Sequence, residues 1–250
     1  MNSLFKDQTY IELVYMTGIL PIKKYSNQSA LNSFDELSML NPTPFEEFME
    51  FTENEVKKLC ERYQMNFNEM KAWYDGYHFK NGTSVYSPRS INKALRIRAC
   101  GNYWSKTSSF ENLRFYINQN IDGIKESIVQ LLAGDMIKID PDIFNNDASE
   151  IHSKDDVLTY LVHLGYLGYD ELEKKVYIPN KEVSDSFVST MRKSKWENTI
   201  YFLENSDKLF EATWNQDEET VAEYIEKAHQ EVSIIQYNDE NALTYTIYLA

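Results

Sequence analysis

The sequence predicts a mostly α chain with minor β, and two observations carry that reading. Capping patterns recur ahead of apolar residues at helical spacing: Thr52-Glu53-Asn54-Glu55 before Val56, Leu59, Cys60 and Tyr63, Asn66 with Glu69 before Met70 and Trp73, and Ser153 with Asp156 before Val157, Leu161 and Leu164. Runs that read as strands are few and short, at 14–19, 136–139, 166–170 and 175–179, with two more short ones within 71–88.

In chain order, Asp7 caps a short turn, and 14–19 reads as an apolar strand with Thr17-Gly18 at its tip. A small polar residue there stands at the edge of a site or merely precedes the turn at Gly18 and Pro21. The polar stretch 23–44 is an ordered loop or short helix. After the two capped helices comes Lys71 to Pro88, where Trp73, Tyr74, Tyr77, Phe79 and Tyr86 surround the turn signals Asp75-Gly76 and Asn81-Gly82. This predicts a helix end, two short strands and a new helix with Ser87 as cap and Pro88 in its first position. That helix carries Arg89, Lys93, Arg96 and Arg98 without an acid. It is a phosphate-facing surface or a solvated face that pairs with acidic neighbours.

Residues 110–117 read as a further helix, and 122–193 then have the element order of a winged helix. Asp122 caps a helix, a strand follows, Ser153 caps a second helix, a hairpin turns at Glu171-Leu172-Glu173-Lys174, and Asn180 caps a third helix. The helix before the hairpin is expected to present Lys154, Asp155, Asp156, Thr159 and His163. With 8 basic and 14 acidic side chains across 122–193, no cationic face stands ready for phosphates. From Lys195 onward three or four acidic amphipathic helices are expected, with Ile200, Leu203, Leu209, Phe210, Val221, Ile225, Ala228 and Val232 on their apolar stripes. Asn238 caps a last one that runs apolar to Ala250, as in a truncated chain.

The 250 residues, 42% hydrophobic, suffice for one large or two small domains. Net charge is −14, and residues 195–250 hold 3 basic against 12 acidic side chains, which disfavours nonspecific nucleic-acid binding there. Two cysteines, Cys60 and Cys100, without metal-ligand spacing point to a reduced cytoplasmic setting. The N-terminus lacks a signal-peptide pattern, and no apolar run approaches the ~20 residues of a membrane helix. The phosphate-loop, dinucleotide, zinc and serine-nucleophile motifs are absent, and His78, His152, His163 and His229 are too scattered to suggest a metal site. His78 reads best as a satisfied structural imidazole. Asp75 reads as an acceptor for nearby backbone N–H groups rather than a catalytic acid.

Several motifs together carry a family resemblance. They are Trp73-Tyr74-Asp75-Gly76-Tyr77, Val85-Tyr86-x-Pro88-x-Ser90 and Tyr103-Trp104-x-x-Thr107-Ser108. With them go Tyr15-Met16-Thr17-Gly18-Ile19-Leu20-Pro21-Ile22-Lys23-Lys24-Tyr25 and Ser153-Lys154-Asp155-Asp156-Val157-Leu158. The chain resembles the C-terminal half of the bacterial AAA-ATPase-like family, whose members usually continue into a PD-(D/E)XK nuclease-like domain. Ser87 departs from the family's usual Asn.

The resemblance implies a sensor strand and helical lid in 1–121, a winged-helix-like subdomain in 122–194, and an acidic helical region opening the nuclease-like domain in 195–250. It makes Thr17 a nucleotide-sensing candidate, which Arg89, Lys93 and Arg96 join through their basic cluster, and Trp73, Asp75, Gly76, Tyr77 and Pro88 a structural motif. Glu240 becomes the acid of the first nuclease helix. No cofactor is expected in this chain, ATP and Mg²⁺ belonging to the full-length family, whose phosphate loop would lie upstream. Expected partners are the ATPase core and nuclease-like domain or another protein, with no membrane and nucleic acid disfavoured. The other reading is a stand-alone acidic helical module for protein contacts.

Overall fold

The computed structural model describes residues 9–18, 20–21, 35–104, 115–117, 119–193 and 208–231. The chain is mostly helical, and the described residues include two small antiparallel sheets, each of three short strands. A short helix α1 (Glu46–Met49), which no capping pattern announces, leads into β1 (Phe51–Thr52) and α2 (Glu53–Tyr63). The Thr52 side chain accepts from the Glu55 N–H while Glu55 accepts from the Thr52 N–H at 2.8 Å, the reciprocal capping box expected. Asn66 opens α3 (Phe67–Tyr74) by accepting from the Asn68 and Glu69 N–H groups at 2.8 and 3.2 Å. Next come β2 (Tyr77–His78), β3 (Ser84–Tyr86) and α4 (Pro88–Ile97). β3 lies between β1 and β2, with Phe51 opposite Tyr86 and Tyr77 opposite Val85. Val56, Cys60, Met70, Tyr74, Tyr86, Ile91, Ala94 and Leu95 form the core of this first unit.

Pro88 takes the first helical position, but Ser87 caps in position only. Its hydroxyl makes no capping bond and is buried under the helix start. Asp122 does not cap the next helix either. It sits in a left-handed turn at φ 49°, and Gly123 takes the cap position of α5 (Ile124–Leu132) while the Asn120 side chain accepts from the Lys125 N–H at 3.0 Å.

The second unit continues with β4 (Ile137–Lys138), a loop with a single 3₁₀ turn at Ala148–Glu150, and α6 (Lys154–His163) with the expected Ser153–Asp156 box. β5 (Gly168–Asp170), β6 (Lys175–Tyr177) and α7 (Lys181–Lys193) follow, β6 lying between β4 and β5. Asp170 closes the hairpin by accepting from the Leu172 and Glu173 N–H groups, both at 2.9 Å, and Asn180 caps α7 through the Val183 N–H. The core runs from Tyr116 through Ile128, Phe144, Leu161, Tyr166 and Phe187 to Met191. α6 lies deep within it: residues 156–162 are all buried. Asp156 and Thr159, expected on its exposed side, are among them. The Asp156 carboxylate turns back onto the His152 and Ser153 N–H groups, at 3.0 and 2.9 Å.

At the N-terminus, residues 14–18, the described part of the run 14–19, form no strand, contrary to expectation. Leu13 and Tyr15 are each 87% exposed, Thr17 is exposed, and no ladder joins the segment to other described residues. A strand exists only where a neighbour takes its backbone hydrogen bonds, so apolar composition alone does not make one. Toward the C-terminus, 208–214 is helical and α8 spans Glu218–Glu231. The expected apolar stripe is incomplete, since Phe210 and Ile225 are exposed. Ile19, Thr107, Ser108, Leu113, Ile200, Leu203, Val232 and the whole of the helix expected from Asn238 to Ala250, with Glu240, lie outside the described residues. Among those described, no helix is long and apolar enough to cross a membrane.

Candidate functional site

The aromatic corner is where the first unit meets the second, and Gly76 is the reason it fits. Its φ is 129°, and a Cβ there would lie 1.7 Å from the Pro179 carbonyl oxygen, so the two chains cross at a distance that any side chain forbids. Around this crossing the Tyr77 hydroxyl donates to the Gly165 carbonyl at 2.6 Å. The Tyr177 hydroxyl donates to the Gly76 carbonyl at 3.0 Å, its ring lying where a Cβ on Gly168 would stand. The Asn180 amide donates to the Tyr74 carbonyl at 3.4 Å, and the Lys181 ammonium sits 4.5 Å from the centre of the Trp73 ring. β2 and β5 lie against each other, as do α3 and α7, so the corner is interior to the molecule.

A second anchor, unmarked by any motif, is Glu182 in the first turn of α7. It is only 2% exposed, yet accepts three hydrogen bonds: from the Ser90 hydroxyl at 2.6 Å and from the Tyr103 and Trp104 N–H groups at 2.6 and 2.9 Å. Burial pushes its carboxyl above the usual carboxylate range, while those donors and Arg89 pull the other way. The Tyr74 hydroxyl secures the same loop by donating to the Gly101 carbonyl and accepting from the Gly101 N–H, both at 2.9 Å. Trp104 then packs over Gly165 and edge-on to Tyr166. From sequence, Glu182 reads only as an acid placed to suit a helix dipole.

Asp75 does not bind backbone N–H groups as expected. It is extended beyond the end of α3, which turns its carboxylate toward β3, where the Ser84 hydroxyl donates to it and the Lys71 ammonium lies at 3.4 Å. Lys71 also pairs with Glu53 at 2.6 Å, and Lys57 pairs with Glu53 at 2.5 Å. These two ammonium groups hold the Glu53 carboxyl down at about 2. The Tyr86 hydroxyl is buried beside the Asp75 and Glu53 carboxylates. Glu50, just before β1, differs in kind: its Oε2 is buried without a hydrogen-bond partner among the described residues, and burial raises its carboxyl to about 7.

Arg89, Lys93, Arg96 and Arg98 are exposed at α4 and make no ion pair among the described residues. Thr17 is not joined to them by any hydrogen bond or ion pair within that same set. His78 is exposed rather than a core imidazole, because its side chain falls on the solvent side of β2 while Tyr77 takes the buried side. No group of three His, Cys, Asp or Glu among the described residues could hold a metal ion. Cys60 and Cys100 are free thiols, and burial pushes both up, Cys100 to about 11. Two adjoining hollows over the β2–β5 contact share Met39, His78, Phe79 and Tyr169 and have room for little more than a water.

No family model and no solved structure matches the chain. A protein of Azotobacter chroococcum mcd 1, described as an uncharacterized protein in the vnfD 5' region, is 26% identical over 112 residues. The match covers 44% of this chain and 21% of that protein, so the chain spans about a fifth of the curated relative's length.

Proposed function

We propose that this chain is the non-catalytic lid, sensor and winged-helix-like region of a bacterial AAA-ATPase-like protein, built to pack on a nucleotide-binding core. The observation that carries the reading is how the motif residues are used. Trp73, Gly76, Tyr77, Tyr103 and Trp104 all serve to hold one unit against the other. A motif that builds a rigid joint suits a part that relays the state of a nucleotide site held elsewhere. Within such an assembly Arg89, Lys93 and Arg96 would face phosphate, and Thr17 would extend the core's sheet, which accounts for its exposed and unladdered segment. Partners are then the ATPase core and a nuclease-like domain, with ATP and Mg²⁺ bound by the core, in the cytoplasm.

Calorimetry tests the division of labour. Mg-ATP added to the isolated chain should give no micromolar binding, because phosphates are cradled by a run of backbone N–H groups with an adjacent lysine, and GxxxxGK[ST] is absent here. A micromolar dissociation constant would contradict the proposal.

The second reading, an acidic interaction module, draws on a different observation. Phe210 and Trp214 stack with ring centres 6.2 Å apart, yet remain 67% and 78% exposed on an acidic segment. Exposed aromatic anchors of this kind are common at protein interfaces.

A further inference from the structure

α4 and α8 carry stripes of opposite charge with one spacing. Arg89, Lys93 and Arg96 stand at i, i+4 and i+7 on α4, and Glu219, Glu223 and Glu226 stand at i, i+4 and i+7 on α8. At 3.6 residues per turn each set lies within about 60° of arc, and each covers about 10.5 Å of helix axis. All six side chains are exposed. Among the described residues no ion pair joins the two stripes or connects either to anything else. Ser90, Ile91, Ala94 and Leu95 fix which side of α4 faces the core, so the basic stripe is held outward rather than free to turn away. Ile97, beside Lys93 on the same side, is exposed as well.

We infer that a second copy of this chain covers the basic stripe, the α4 of one copy meeting the α8 of another. In parallel register Arg89 meets Glu219, Lys93 meets Glu223 and Arg96 meets Glu226, with no helix shift needed. A chain of net charge −14 repels a polyphosphate and a second copy alike at long range, and the α8 stripe overcomes this locally by offering three carboxylates at the spacing of the basic stripe. Because every copy holds both stripes, each copy can offer its α8 to the α4 of another. The inference competes with the phosphate-facing role proposed above for Arg89, Lys93 and Arg96 and leaves the rest of the ATPase reading untouched.

Sedimentation of the full chain tests it. Exposed ion pairs are individually weak and screened, so association should appear at roughly 0.1–1 mM protein in about 20 mM salt and vanish near 0.5 M salt. R89E/K93E/R96E should be monomeric. So should E219K/E223K/E226K, although it is less acidic overall and general repulsion between copies is reduced. The chain carrying all six changes should associate again, which also shows that the reversed stripes leave the fold intact. A monomeric parent chain at low salt, association surviving E219K/E223K/E226K, or no recovery in the six-change chain would overturn the inference. Low-salt binding of random duplex DNA that R89E/K93E/R96E abolishes would assign the stripe to phosphate and overturn it too.

Discussion

Glu50 and Glu182 are both buried carboxylates, and their surroundings give them opposite roles. Glu182 keeps its charge tolerable with three donors, whereas the buried Oε2 of Glu50 has none among the described residues. With its carboxyl at about 7 in the folded chain against an ordinary 4.5, the folded state binds the proton more tightly than the unfolded state. The Glu50 contribution is therefore favourable at low pH and is lost as pH rises from 4.5 to about 7. Glu50→Gln should stabilise the chain by about 1–3 kcal/mol at pH 8, the range allowing for the part of the side chain that stays near solvent, and change little at pH 4. Denaturant midpoints of both proteins at the two pH values check this. Equal midpoints at pH 8 would show that Oε2 is solvated. None of this is visible in the sequence, where Glu50 is one acid among several between Glu46 and Glu55.

Helices were legible where their signals are local. Thr52, Asn66, Ser153 and Asn180 cap as their spacing predicts, because the donor each one satisfies lies two or three residues away. Ser87 and Asp122 carry the same chemistry and failed because the chain around them turns otherwise, Ser87 into the core and Asp122 into a left-handed bend. The 14–19 strand failed over its described residues for a related reason, since a strand is completed by its neighbour. α6 shows how far an element's place can depart from its pattern. It stands where a winged helix would carry its groove-reading helix, yet seven of its ten residues are buried and the hairpin beyond it is Glu171-Leu172-Glu173-Lys174. Docking on DNA takes an exposed helix with cations around it, so random duplex at low salt should produce no saturable change in fluorescence anisotropy at micromolar protein. Saturable binding that disappears as salt rises would mean that the charges of α4 or the hairpin act together in a way their placement does not suggest.

Across the molecule, the described residues form two small helical units, each with its own three-stranded sheet and core, closed over one joint. The existence of a corner at 71–88 could be read from its rings and turns. Its purpose could not, because Pro179, Gly165, Tyr177 and Glu182 lie roughly 80 to 100 positions further along the chain, and no local spacing links them to Trp73, Gly76, Tyr77 or Ser90. For function the sequence offers a resemblance, on which the proposed nucleotide-linked assembly rests, and the geometry adds the joint that the proposal uses. The central claim is that Gly76 lets the two units lock together, and hydrogen exchange read by mass spectrometry on Gly76→Ala tests it most directly. A Cβ at Gly76 must push the Pro179 carbonyl away, so faster exchange is expected both at 74–78 and in the second unit at 165–168 and 177–183, while the interior of α5 and α6 keeps its protection. Faster exchange confined to 74–78, with 165–183 unchanged, would contradict the account.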